Sequence, residues 1–264
     1  MGQKMAQAPV YFTLVQARFN AILALDSYVS KIQDRLRLEG FPDTQKGVLA
    51  TFNLNVGAPG EASAPQVPVS QITRYTFGNM DKTAGFMLDQ GSLSLQTTNY
   101  DTFESFSETF VSGLRIVHEV VNLGYTDRIG VRYLDAVYPQ KDEDLSEYLS
   151  EAVLGLYGRL DGDLVHAFSE TVIRNGNVNV IARTIVQNGP VGFPPDLQPI
   201  GGMVVAERFR ALNGLHAILD TDGAHERRVA FELSQIETQL STVHSAVIKA
   251  FKATVTERAI RIWE

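Results

Sequence analysis

The chain has 264 residues, 44% of them hydrophobic and 20% charged, with a formal net charge of −7 at pH 7. That composition supplies the core of one large domain or two fused smaller ones, and it excludes chain-wide disorder. The acidic balance disfavours broad binding to nucleic acid or anionic membrane, and the absence of cysteine removes disulfides, thiolate catalysis, zinc–thiolate sites and iron–sulfur clusters.

From the N-terminus, "MGQKMAQAPV" lacks the apolar stretch of a secretory signal, and no apolar run approaches the ~20 residues that span a bilayer. A cytoplasmic protein without a membrane partner is expected. Ala8 to Ala21 is rich in β-branched and aromatic residues and reads as a strand. Asp26 caps a helix carrying Tyr28, Val29, Ile32 and Leu36, which Gly40 and Pro42 end. Val48 to Val56 reads as a strand and Gly57 to Pro68 as a loop. Ser70–Phe77, Thr83–Leu88 and Ser92–Thr97, separated by the turn signals "GNMD" and "DQG", form a meander. Asp101 to Val121 is an amphipathic helix with Asp101 as N-cap and Phe103, Phe106, Phe110, Leu114 and Val117 along its apolar stripe.

The pattern then restarts. Arg128 to Tyr138 reads as a strand and Asp144 to Tyr157 as a helix. Leu164–Arg174 and Val178–Gln187 form a hairpin across "NGN". The Pro/Gly segment "NGPVGFPPDLQP" is a crossover between strands or a lip over an open sheet face. Val204–Ala211 and Leu215–Leu219 read as strands, and Leu233–Val255 as the last long helix. The tail "ERAIRIWE" alternates, so it either adds a short strand or packs Trp263 onto the chain. Three local parallels fall in the same order in both halves: "ARFNAI" with "RYLDAV", "LDSYVS" with "LSEYLS", and "FMLDQG" with "AILDTDG".

The expected fold is therefore α+β, with two tandem β-α-β(3–4)-α repeats, residues 1–124 and 125–264, packed as one continuous unit. Helices on one face of a curved antiparallel sheet leave the other face open. This is the saddle topology of the TATA-box-binding protein, a likeness of topology alone, because this chain is acidic.

The stretch "DRIGVRYLDAVYP" concentrates the candidate chemistry. Strand alternation puts Arg132 with Gly130, Leu134 and Ala136 on the open face, and Tyr133 and Asp135 with Ile129, Val131 and Val137 on the other. Tyr133 then points to the helices and Asp135 lies near the rim of the core. Arg132 is either one half of a structural ion pair, with Glu170 or Glu207 as partner, or an anion-binding arginine. Arg183 and Arg208 are further ligand candidates, and Asp220 and His225 would transfer protons if the site were catalytic.

"LDTDG" (Leu219–Gly223) reads as a turn. It fails as an EF-hand loop, because Ile218 and Val229 stand where acids are required. His118-Glu119 fails as a zincin motif, since Asn122 replaces the second His. No metal site or cofactor is expected, and the chain lacks the G-x-S-x-G elbow, the Walker loop and G-x-G-x-x-G.

"TDRIGVRYLDAV", with the preceding "TFESFSETF", resembles a sporadically distributed bacterial family of uncharacterised proteins sharing an Arg-hydrophobic-Gly-hydrophobic-Arg-Tyr motif. Here its positions are Arg128, Gly130, Arg132 and Tyr133. The resemblance implies a toxin–antitoxin or phage-defence neighbourhood. The leading expectation is a non-enzymatic binding protein that engages a protein partner, or another copy of itself, on the open sheet face. The alternatives are an enzyme or sensor taking a small anion there, and a nucleic-acid-binding saddle.

Overall fold

The computed structural model describes residues 5–52, 69–197 and 199–264. Its strands are β1 (Val10–Phe19), β2 (Asp43–Phe52), β3 (Val69–Gly78), β4 (Ala84–Leu88), β5 (Ser92–Thr97), β6 (Tyr125–Val137), β7 (His166–Asn175), β8 (Val178–Pro190) and β9 (Asn213–Ala230). Its helices are α1 (Leu25–Leu38), α2 (Phe103–Val121), α3 (Glu151–Leu154), α4 (Glu207–Arg210), α5 (Leu233–Thr254) and α6 (Glu257–Trp263). Among the described residues the strands form one antiparallel sheet in the order β2-β3-β4-β5-β1-β6-β9-β8-β7. The fold is α+β, with β1 and β6 paired at its middle.

Alternation along these strands sorts the side chains. Val15, Ala17 and Phe19 of β1 and Ile129, Val131 and Tyr133 of β6 face the long helices and share one core with Ile32 and Leu36 of α1, Phe106, Phe110 and Leu114 of α2, and Ile236, Leu240 and Val243 of α5. The Phe-rich stripe read from the sequence is thus the buried face of α2. Thr102, not Asp101, caps that helix, its hydroxyl accepting from the Ser105 N–H at 3.2 Å. In α1 the expected cap Asp26 makes no cap bond; its carboxylate instead accepts from Tyr75 Oη at 2.6 Å and Lys46 Nζ at 3.3 Å.

The opposite face is not open at its centre. After β8 the chain runs over that face before entering α4 and β9. Tyr11 Oη donates to the Gly192 carbonyl at 2.6 Å, and the Phe193 ring lies 5.3 Å from Phe12 and 5.6 Å from Tyr11. The Ile200 N–H donates to Gln96 Oε1 at 2.8 Å, and the Thr98 hydroxyl donates to the Val204 carbonyl at 2.6 Å. Beneath this strap Tyr11, Phe12, Leu134, Ala136, Phe209 and Ile218 form a second apolar cluster. A register shift between Val10 and Phe12 puts Tyr11 and Phe12 together in it. The expected crossover or lip "NGPVGFPPDLQP" begins within β8, whose last residues are Asn188–Pro190; the described residues after it form this strap, a crossover that also lies over the sheet face.

Other expectations are corrected. Asp144–Tyr157 does not form one helix: a 3-10 turn at Leu145–Glu147 precedes the single turn of α3. Val204–Ala211 is not a strand; it ends the strap and forms α4. "LDTDG" is not a turn but the middle of β9, paired on both sides, to β6 and to β8. The tail is helical, with Thr256 as N-cap, and buries Trp263 against Tyr148 and Phe251. The expected loop Gly57–Pro68 and the end of the expected strand Val48–Val56 lie outside the described residues.

Candidate functional site

β6 is an interior strand whose two faces carry opposite chemistry. On the strap side, Arg132 is 7% exposed. Its Nε and Nη2 donate to Asp220 at 2.7 and 2.8 Å, and its Nη1 and Nη2 donate to Asp196 at 2.7 and 3.1 Å. Both contacts are bidentate, the geometry in which a guanidinium binds carboxylates best. Arg183 of β8 adds a bond to Asp220 at 3.2 Å and another to Glu170 at 2.6 Å. Burial opposes the charge of Arg132, but the Asp220 and Asp196 bonds outweigh it and hold the guanidinium protonated. Asp196 is held below the usual carboxylate range, first by its bond from Arg132. Two guanidiniums thus meet three carboxylates.

The partners differ from those expected: Glu170 pairs with Arg183 and Glu207 with Arg210, while Arg132 takes Asp220 and Asp196. Arg128 lies four residues back along the same face of β6, near Asp222 at 3.5 Å and Glu226 at 3.7 Å. A Cβ on Gly130 would stand 2.5 Å from Arg128 Nη1, so the glycine lets that guanidinium lie flat on the sheet. The Arg-x-Gly-x-Arg spacing therefore has a physical meaning here: two arginines on one strand face with clear backbone between them.

On the helix side a cavity of about 460 Å³ opens over Tyr133 and Asp135. Its walls come from Tyr100 and the first turn of α2, from His244, Val247, Ile248 and Phe251 of α5, and from Pro9 and Ile260. Asp135 is 6% exposed, and no donor or cation among the described residues bonds its carboxyl. Burial alone pushes its pKa up to about 7.

Tyr133 Oη stands 3.0 Å from His244 Nδ1 and 3.3 Å from Tyr100 Oη. The His244 ring stacks on Phe103 at 3.8 Å. Burial pulls the imidazole pKa down to about 4, so His244 is neutral at pH 7. Burial also drives the Tyr133 phenol well above its usual range and that of Tyr100 up to about 12. The cavity is thus a mainly apolar chamber with a neutral phenol–imidazole chain and one carboxyl that ionises near neutrality.

The structure brings Arg132, Arg183 and Asp220 together on the strap side and sends Tyr133 and Asp135 to the cavity. Arg208 joins neither group; it donates to the Ala8 carbonyl at 2.6 Å and lies over the Phe209 ring. His225 falls on the β9 face opposite Asp220, so the two do not face one substrate. Among the described residues no group of His, Asp and Glu is arranged to hold a metal ion, and no helix is long and apolar enough to cross a membrane.

Sequence reasoning missed Asp196, Tyr100 and His244. A signal for His244 existed: it falls on the helical series Leu240, His244, Val247, Phe251, an imidazole interrupting an apolar stripe. The chain matches no protein-family model and no curated protein sequence.

Proposed function

We propose that this protein is a non-enzymatic binding protein whose small ligand occupies the helix-side cavity against Tyr133 and Asp135. One observation carries this reading: a buried carboxyl without a partner opens into a cavity of ligand size, roughly 300–1,000 Å³. A buried polar group left unbonded is costly, and a ligand that bonds it recovers that cost. The strap covers the centre of the other face, and its arginines are engaged by carboxylates. Both facts favour the cavity over a small-anion or nucleic-acid site on that face. The test is ligand-induced stabilisation across a small-molecule library, repeated with Ile248→Trp to fill the cavity. Hits that survive the filled cavity would sink the reading.

Two features support the tandem-repeat saddle. The strand order runs outward from the centre as first, last and then intermediate strands on both sides: β1-β5-β4-β3-β2 and β6-β9-β8-β7. Leu25 and Leu145, equivalent in the second parallel, are both buried at the element after each central strand. The first parallel sets Ala17 against Arg132 and Phe19 against Leu134, on opposite faces, and adds nothing. The third parallel, "FMLDQG" with "AILDTDG", sets a strand end and turn against mid-strand and adds nothing. The family likeness extends the proposal to an accessory role in a cytoplasmic bacterial defence or toxin–antitoxin system, which comparison of gene neighbourhoods tests.

A second reading, self-association, rests on the sheet edge at β7, where Phe168, Val172 and Ile173 are exposed. Antiparallel pairing of two β7 strands about Val172 would set Glu170 opposite Arg174 twice. Native mass spectrometry of the parent and of Val172→Lys tests it. A dimer that persists in the variant removes this register.

A further inference from the structure

The cavity has a polarity that the reading above does not use. Asp135, 6% exposed, presents its carboxyl on the floor formed by β6, beside Tyr133 and, from β9, Thr221. Beside it Tyr100 meets Tyr133 edge-on at 5.3 Å, and the His244 ring, 5.9 Å from Tyr133, stacks on Phe103, so the aromatic wall runs Tyr100, Tyr133, His244, Phe103. The remaining wall, Val247, Ile248 and Phe251, is apolar. Among the described residues the other charged groups lining the cavity are Asp101, Glu104 and Glu264 against one cation, Lys252. α2 also begins at this cavity, but Glu104 in its first turn and Asp101 just before its cap answer the positive end of its dipole. A carboxylate inside an aromatic wall recognises an organic cation twice over, by a charge-assisted hydrogen bond and by ring quadrupoles.

We infer that the ligand is an organic ammonium compound, a protonated primary or secondary amine on an apolar body, whose N–H groups donate to Asp135 while the body lies along α5. This inference rests on the cavity reading and adds the ligand class to it. An anionic ligand would meet Asp135, Asp101 and Glu104, with Lys252 as the one lining cation among the described residues, and a purely apolar ligand would leave the Asp135 carboxyl unbonded.

Binding is linked to pH. The ammonium needs the ionised carboxylate, so affinity rises as pH passes through about 7, where Asp135 ionises in the unliganded protein. The other titratable or charged groups lining the cavity are Tyr133 on the same strand, Tyr100, Asp101 and Glu104 at the start of α2, His244 and Lys252 on α5, and Glu264 after α6. His244 titrates near 4, and Tyr133 and Tyr100 lie far above neutrality, so none of these three produces a transition at 7.

The test is calorimetric titration at pH 8 of 2-phenylethylammonium and its neutral near-isostere 2-phenylethanol into the parent, Asp135→Asn and Ile248→Trp. The expected result is that the parent prefers the ammonium by at least about tenfold. Asp135→Asn should lower ammonium affinity to that of the alcohol without weakening the alcohol, and Ile248→Trp should block both. Equal affinities in the parent, with both probes blocked by Ile248→Trp, would overturn the ammonium class and leave the cavity reading standing. A preference that persists in Asp135→Asn would overturn the role of Asp135. Binding of neither probe would overturn the cavity reading and this inference together.

Discussion

Arg132 and Asp135 stand three residues apart on β6, each more than nine-tenths buried and each of a type that carries charge. The strand sends one to each side of the sheet. Arg132 meets two carboxylates in four hydrogen bonds, supported by Arg183 and Glu170 and flanked by the strap. Asp135 meets an aromatic wall and a cavity. Two burials of similar depth thus have opposite meanings. The first is a closed network that sets the register of β6, β8 and β9 and anchors the strap. The second is an unanswered polar group, which a folded chain retains only at a cost.

The largest effect that would break this contrast is Arg132→Ala. It leaves Asp220, fully buried, with Arg183 alone and removes the anchor for Asp196. A loss of about 3–5 kcal/mol is expected in urea unfolding, the typical cost of stripping one partner from a buried pair. Unchanged stability would mean that the network is not structural.

The second test is Asp135→Asn. Burial raises the folded-state pKa of Asp135 to about 7, above its unfolded value near 4. Its contribution is therefore fully present below pH ~4 and is lost as pH rises to about 7. Asparagine cannot ionise, so the variant escapes that loss. It should match the parent near pH 4 and exceed it at pH 8 by on the order of 4 kcal/mol. Thermal unfolding at the two pH values checks this, and an equal difference at both would refute the assignment.

Tyr133→Phe sharpens the picture of the cavity wall. It deletes the hydroxyl shared with His244 and Tyr100 and should cost about 1 kcal/mol. The smallest effect is expected for Asp196→Asn, because that side chain is 61% exposed. Below about 1 kcal/mol is anticipated, as for exposed ion pairs generally. A loss as large as that of Arg132→Ala would move the centre of the network from Asp220 to the strap.

Local pattern determined much of this architecture. Alternation in "RIGVRYLDAV" separates Arg132 from Tyr133 and Asp135 because successive strand side chains point to opposite faces, whatever the rest of the chain does. The Phe stripe of α2 and the "NGN" hairpin are equally local, set by a 3.6-residue period and by turn chemistry. Where sequence reasoning failed, a long-range contact overrode a local preference. "LDTDG" has the composition of a turn, yet it stays extended. Arg132 and Arg183 hold Asp220, and a Cβ on Gly223 would come within 2.5 Å of the Val247 side chain on α5.

The sequence by itself determined the fold class, the strand over Arg128–Tyr138 and the face on which each of its polar residues lies, because those follow from spacing along the chain. Only the tertiary structure decided what each residue meets there. Arg132 finds Asp196 and Asp220 at 64 and 88 positions' distance, and Tyr133 finds His244 at 111. No local period encodes such pairings; they follow from sheet order, from the strap over one face and from the seat of α5 on the other.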